Sequence, residues 1–133
     1  MPHLTLEYSA NLRPLTDIPS LLRKLSQVLV DERADGQPVY PVAGIRVRAE
    51  PREAYCIAND RVADAAYVHA TLRIGNKRPA QVLQATGDHL FEVLKQHFAD
   101  LYERQGLALS LVVEEFPPPG AWKHNNLHQR LKD

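Results

Sequence analysis

The chain begins MPHLTLEY, and Pro2 is the first residue with chemistry of its own. A small second residue favours removal of the initiator Met, after which the Pro2 nitrogen is a free secondary amine held rigidly in a ring. Such an amine, when neutral, can act as a general base. While Met1 stays attached, the same nitrogen is a tertiary amide with no basic lone pair. The competing reading is structural, since proline suits the first residue of a strand, where its missing N–H costs nothing.

Arginines form the second group. Arg46 and Arg48 project from a segment whose other side, Ile45 and Val47, is apolar; Arg13 and Arg78 each follow the first strand of a half of the chain. Charged residues at strand ends are ordinarily solvated. Several guanidiniums converging on one pocket would instead select a polycarboxylate, because each binds a carboxylate bidentately. The same charges disfavour protonation of a nearby amine, and partial burial acts in the same direction. Pro2 and the arginines therefore explain one another: cations that hold an acid also keep the base neutral near pH 7.

The remaining reactive side chains read more plainly. His124 and His128 have the spacing of a metal pair on a helix, but the Glu that accompanies such pairs in zinc proteases is absent, and no metal is assigned. His3 and His69 read as structural strand residues, Cys56 as a packed thiol, and Glu114 and Glu115 as the end of a strand. The sequence has no Gly-rich phosphate loop, paired-Cys motif or nucleophile elbow.

The elements that must position these groups follow from periodicity. His3 to Tyr8 alternates with period two, as a strand with one buried face does. Thr16 or Asp17 can cap a helix with Pro19 in its first turn. Ile18, Leu21, Leu22, Leu25, Val28 and Leu29 then form one stripe of helical period. The stretch DERADGQPVYP ends it, and AGIRVRAE supplies a second strand. The pattern returns from Tyr67: His69, Thr71 and Leu72 fall where His3, Thr5 and Leu6 fell. Pro79 opens a second helix carrying Leu83, Leu90, Phe91, Leu94, Phe98 and Leu101, and LALSLVVEE closes the unit.

The chain is thus a tandem β-α-β repeat, with halves of about 1–50 and 67–116 and an arm over 117–133. An α+β fold is expected, a single domain spanning 1–133 with a four-stranded mixed sheet and two helices on one face. The other face, with Leu4, Leu6 and Val47 or their alternates, lacks cover, which predicts an oligomer. Residues 51–66 read as an excursion with a hairpin around Asn59 and Asp60. The Pro-rich arm reads as an extended segment and then a short helix, suited to clasping a neighbouring subunit.

Composition narrows the partners. Lys plus Arg and Asp plus Glu number 16 each, which points away from nucleic acid and membrane surfaces. One cysteine among 133 residues suits a reducing compartment, and no export signal or long apolar run is read. A cytoplasmic protein is expected.

The segments PHLTLEYSANLR, PVAGIRVR, YVHATLRIGNKR and HNNLH, in that order, resemble the 5-carboxymethyl-2-hydroxymuconate isomerase family of the tautomerase superfamily. The resemblance runs over nearly the whole chain. It implies a homotrimer, no metal or organic cofactor, and Pro2 as catalytic base. It also implies that Arg46 and Arg78, with Arg13 beside them, bind a small di- or tricarboxylate substrate. The implied reaction carries the proton of the 2-hydroxyl to carbon 5 in the breakdown of hydroxyphenylacetate-type aromatic acids. A tautomerase or lyase for another keto-enol acid, and a non-catalytic trimeric binding protein, remain the alternatives.

Overall fold

The period-two runs form strands and the helical runs form helices in a computed structural model that describes residues 1–132. In chain order these are β1 (His3–Ser9), α1 (Ile18–Asp31), β2 (Arg33–Ala34), β3 (Gln37–Pro38) and β4 (Arg46–Arg52), followed by β5 (Ala66–Ile74), α2 (Ala80–His97), α3 (Ala99–Arg104) and β6 (Leu107–Glu115). Asp17 caps α1, its Oδ1 accepting from the Ser20 N–H at 3.1 Å. Pro19 sits in the first turn, where no backbone donor is needed. Leu21, Leu25 and Leu29 are wholly buried along one face of α1. Each contributes about 1.5–3 kcal/mol by leaving water. After α1, the residues that end the helix form a small hairpin of β2 and β3. Its turn residues Asp35 (φ 52°) and Gly36 (φ 77°) are both left-handed, the conformation a two-residue hairpin turn demands.

The main sheet has the order β4-β1-β5-β6. Each half pairs its own strands in parallel across a helical crossover, and the halves meet at an antiparallel β1–β5 seam where Thr5 faces Thr71. The sequence repeat is therefore an approximate two-fold about that seam. It also fixes the geometry of the ends: His3 lies beside Arg46 at the start of β4 and Arg73 near the end of β5, with Glu114 of β6 next in the row. The helices pack on one face over Leu4, Leu6, Val68, Ala70 and Leu72, and Leu25, Leu29, Leu90 and Leu94 complete one continuous core.

Several expectations need correction. Leu4 and Leu6 are wholly buried beneath the helices, and Val47 packs against the same core. The open face carries the alternate positions, among them Thr5, Glu7, Arg48, His69, Thr71 and Arg73, and is mostly polar. Strand parity explains this, since helices take the apolar side and leave the other to water. An exposed apolar sheet face therefore gives no argument for an oligomer. The second helix is two helices, because the backbone leaves helical geometry at Phe98 (φ −102°, ψ 10°) while Phe98 and Leu101 keep their buried places. Ala58–Asp60 forms a 3₁₀ turn with φ values of 50°, 54° and 59°, without paired strands on either side. Cys56 in that excursion is exposed, not packed.

The arm is irregular from Pro117 and ends in a 3₁₀ turn, His128–Arg130, that touches Val42–Gly44 of the same chain. His124 precedes that turn, so it shares no helix face with His128. Among the described residues no helix is long and apolar enough to cross a membrane.

Candidate active site

Because β1 and β5 are antiparallel, β1 and β4 begin at the end of the sheet where β5 and β6 finish. The chain's first residues are laid there by the ladder itself. Pro2 is buried, and its carbonyl accepts from the Arg46 N–H at 3.0 Å, extending the β1–β4 pairing by one bond. Gly44 makes room, since a Cβ there would stand 3.4 Å from the Met1 Cα.

Two arginines reach this end and are held by backbone carbonyls. Arg46 Nη1 donates to Ala43 O at 2.8 Å, and Arg78 Nη1 donates to Gly75 O at 3.1 Å. The Arg78 guanidinium also lies over the ring of Tyr40, 4.9 Å from its centroid, a cation–π contact. Tyr40 is wholly buried and bonded through its hydroxyl to Thr86 Oγ1 at 2.9 Å, so this platform is fixed in the core. Burial, the largest cause, pushes the Tyr40 phenol up, and it stays neutral. Among the described residues neither Arg46 nor Arg78 has an acidic partner. Both keep donors for an incoming anion.

The electrostatic consequence falls on the chain's terminal amine. With Met1 attached, its ammonium is held below the ordinary range, first by burial and then by Arg78, Lys123 and Arg46. His3 beside it is likewise pushed down, by burial and then by Arg48 and Arg46. Arg48 Nη1 donates to His3 Nδ1 at 3.1 Å, which leaves the proton of the neutral ring on Nε2. A cleft of about 250 Å³ opens here, lined by Met1, His3, Asn76, Phe116, Trp122 and Lys123 among others. Phe116 extends the β6 pairing through its N–H to Ile74 O at 2.8 Å, and the Arg73 guanidinium sits 5.3 Å from its ring centroid.

The arrangement unites three of the four residues singled out from the sequence: Pro2, Arg46 and Arg78. Arg13 is not among them. The seam that makes the repeats antiparallel sends their equivalent turns to opposite ends of the sheet, and Arg13 Nη1 pairs with Glu53 at 2.7 Å there. Lys123, Tyr40 and Phe116 were missed. Lys123 did leave a signal: from Phe116 to Lys132 the arm carries no acidic residue, so its cations lack local partners.

A cleft with Lys123 in its lining, beside a chain terminus that Arg46 and Arg78 also influence, offers cations to an acid. The sequence model of 5-carboxymethyl-2-hydroxymuconate isomerase matches residues 2–131. A 5-carboxymethyl-2-hydroxymuconate Delta-isomerase of Escherichia coli is 41% identical over 132 residues, covering 99% of this chain and 100% of that protein. The crystal structure of a 5-carboxymethyl-2-hydroxymuconate isomerase from Deinococcus radiodurans R1 is 45% identical, with a TM-score of 0.88 over 99% of this chain and 95% of that one. A fused 4-OT symmetric trimer shares the fold alone, at 14% identity and a TM-score of 0.62 over 87% of this chain and 88% of that one. A match of this extent places the chain in the 5-carboxymethyl-2-hydroxymuconate isomerase family.

Proposed function

We propose that the protein is a 5-carboxymethyl-2-hydroxymuconate isomerase in which the Pro2 amine, freed of Met1, is the general base. The observation that carries the reading is the position of Pro2: buried just before β1, its carbonyl bonded to the Arg46 N–H, among cations that lower the pKa of the terminal amine beside it. The neutral nitrogen takes the proton of the 2-hydroxyl and returns it to carbon 5, giving the 2-oxo isomer. Only a proton changes place, so the reaction needs no electron carrier. Arg46 and Arg78 hold carboxylates of the substrate and stabilise negative charge as it spreads toward the 2-oxygen. The substrate lies beside a ring that cannot rotate away, so one base serves both carbons' ends of the conjugated system.

Arg13 reaches such a site only from a neighbouring chain. We assign the assembly as a homotrimer, supported by the fold shared with the fused 4-OT trimer and by the outward-facing Trp122, Leu127 and Leu131 of the arm. The reaction is set in the cytoplasm, where an exposed thiol such as Cys56 stays reduced.

The test is ultraviolet-monitored isomerisation of 5-carboxymethyl-2-hydroxymuconate beside plain 2-hydroxymuconate, with protein whose mass shows loss of Met1. Preference for the carboxymethyl compound is expected. Turnover of neither would transfer the function to another keto-enol acid or to binding alone.

A further inference from the structure

Three cations reach the Pro2 end of the sheet from three separate parts of the chain. Arg46 starts β4, Arg78 lies in the turn before α2, and Lys123 belongs to the arm that follows β6. Of the other arginines on the sheet, Arg73 pairs with Glu114 at 3.5 Å, Arg52 with Glu7 at 3.1 Å and Glu50 at 3.2 Å, and Arg48 is engaged by His3, donating to its Nδ1 at 3.1 Å. Arg46, Arg78 and Lys123 form no ion pair among the described residues.

The two arginines are anchored on backbone carbonyls, Arg46 on that of Ala43 and Arg78 on that of Gly75. Lys123 comes from the arm and lines the cleft itself. The arm turns at Gly120 (φ 103°), and Ala121, Trp122 and Lys123 line the cleft together with Met1, Gly75 and Asn76. Gly75 thus belongs both to the cleft and to the anchor of Arg78. A hollow of about 500 Å³ adjoins the cleft, sharing His3, Phe116 and Ala121, so there is space for a branched acid. Two arginines satisfy two carboxylates. A third cation in the lining of the cleft is surplus for a diacid and matched to a triacid.

We infer that Lys123 is a specificity-determining residue, its ammonium binding the third carboxylate of a tricarboxylate substrate and so separating triacids from diacids. The inference rests on the reaction proposed above for its substrate class, but the contact itself is one of charge and place. An ammonium is a point charge on a flexible stem, which suits a carboxylate whose position differs among branched acids.

The readout is the ratio of kcat/KM for 5-carboxymethyl-2-hydroxymuconate to that for 2-hydroxymuconate, in wild type, Lys123→Met and Lys123→Arg. Changes in the amine common to both substrates cancel in that ratio. Losing one charge-assisted contact lowers the ratio by about 10-fold or more in Lys123→Met, while Lys123→Arg keeps most of it. An unchanged ratio in Lys123→Met overturns the inference.

Binding separates this result from the fate of the reaction. By calorimetry, wild type binds propane-1,2,3-tricarboxylate more tightly than glutarate, and Lys123→Met loses that preference. A wild type without the preference, or a variant that keeps it, overturns the role of Lys123. Intact preference in a wild type that isomerises neither muconate refutes the proposed reaction and supports the role of Lys123.

Discussion

The two ends of the sheet carry similar cations, and among the described residues the Pro2 end leaves two of its arginines, Arg46 and Arg78, without a carboxylate. At the far end Arg13 is paired with Glu53, and Arg52 with Glu7 and Glu50. Tyr67 donates to Glu7 at 2.6 Å, and burial followed by that bond pushes its phenol up to about 12. At the Pro2 end Arg46 and Arg78 are tied to carbonyls of their own turns, which fixes their direction without cancelling their charge. Charge left uncompensated by the protein is available to a ligand. A carbonyl anchor also differs from a carboxylate anchor in what it does to the base: it leaves the field that lowers the amine's pKa intact. The difference is thus between charge used to hold the fold and charge kept for a substrate.

The comparison breaks most visibly at Pro2. In protein lacking Met1, Pro2→Ala replaces the rigid secondary amine by a freely turning primary one, and kcat for the isomerisation is expected to fall by about 100-fold or more. A variant with wild-type kcat would remove Pro2 from the mechanism. Arg78→Ala comes next, lowering kcat/KM by about 10- to 100-fold through a lost charge-assisted hydrogen bond. Arg78→Lys should recover little of this, because an ammonium reproduces neither the fork nor the stacking on Tyr40.

At the other end the effects shrink. Arg13→Ala should leave kcat/KM within about twofold if each site is built from one chain. A loss as large as that of Arg78→Ala would show that a neighbouring subunit completes the site. Smallest is Glu7→Gln, with an expected stability change below about 1 kcal/mol in urea titrations at pH 7, since the group is partly exposed and screened. Glu7 is held below the usual carboxylate range, chiefly by its bond from Tyr67. Its contribution is therefore present above the unfolded carboxylate pKa and lost as pH falls through the depressed one, so variant and wild type should converge in acid. A gap that persists in acid would assign the effect to packing.

Much of this contrast was legible in the residues, and the part that was not has a physical cause. Strands and helices follow local period, so Leu21, Leu25 and Leu29 on α1 and the alternation of β1 announced themselves. The tandem repeat was legible for the same reason. Which face of β1 the helices take is a tertiary choice, so the residues left open whether Leu4 and Leu6 or their alternates face away from the helices; the structure buries Leu4 and Leu6. Arg13 and Arg78 look equivalent in a repeat and are separated only by the antiparallel seam. The Pro2–Arg46 pairing needed only the right β1–β4 register, and the resemblance to a family had already joined the two. Lys123 depends on the path of a Pro-rich arm, which no periodicity encodes.

The central claim is that the Pro2 nitrogen is a neutral amine kept so by unpaired cations. It is tested most directly by ¹⁵N NMR titration of proline-labelled protein lacking Met1. The account predicts one titrating proline nitrogen, with a pKa below the ordinary α-amino range of about 8 and moving upward in Arg78→Ala. An amine that titrates at or above that range, unmoved by loss of Arg78, would contradict it.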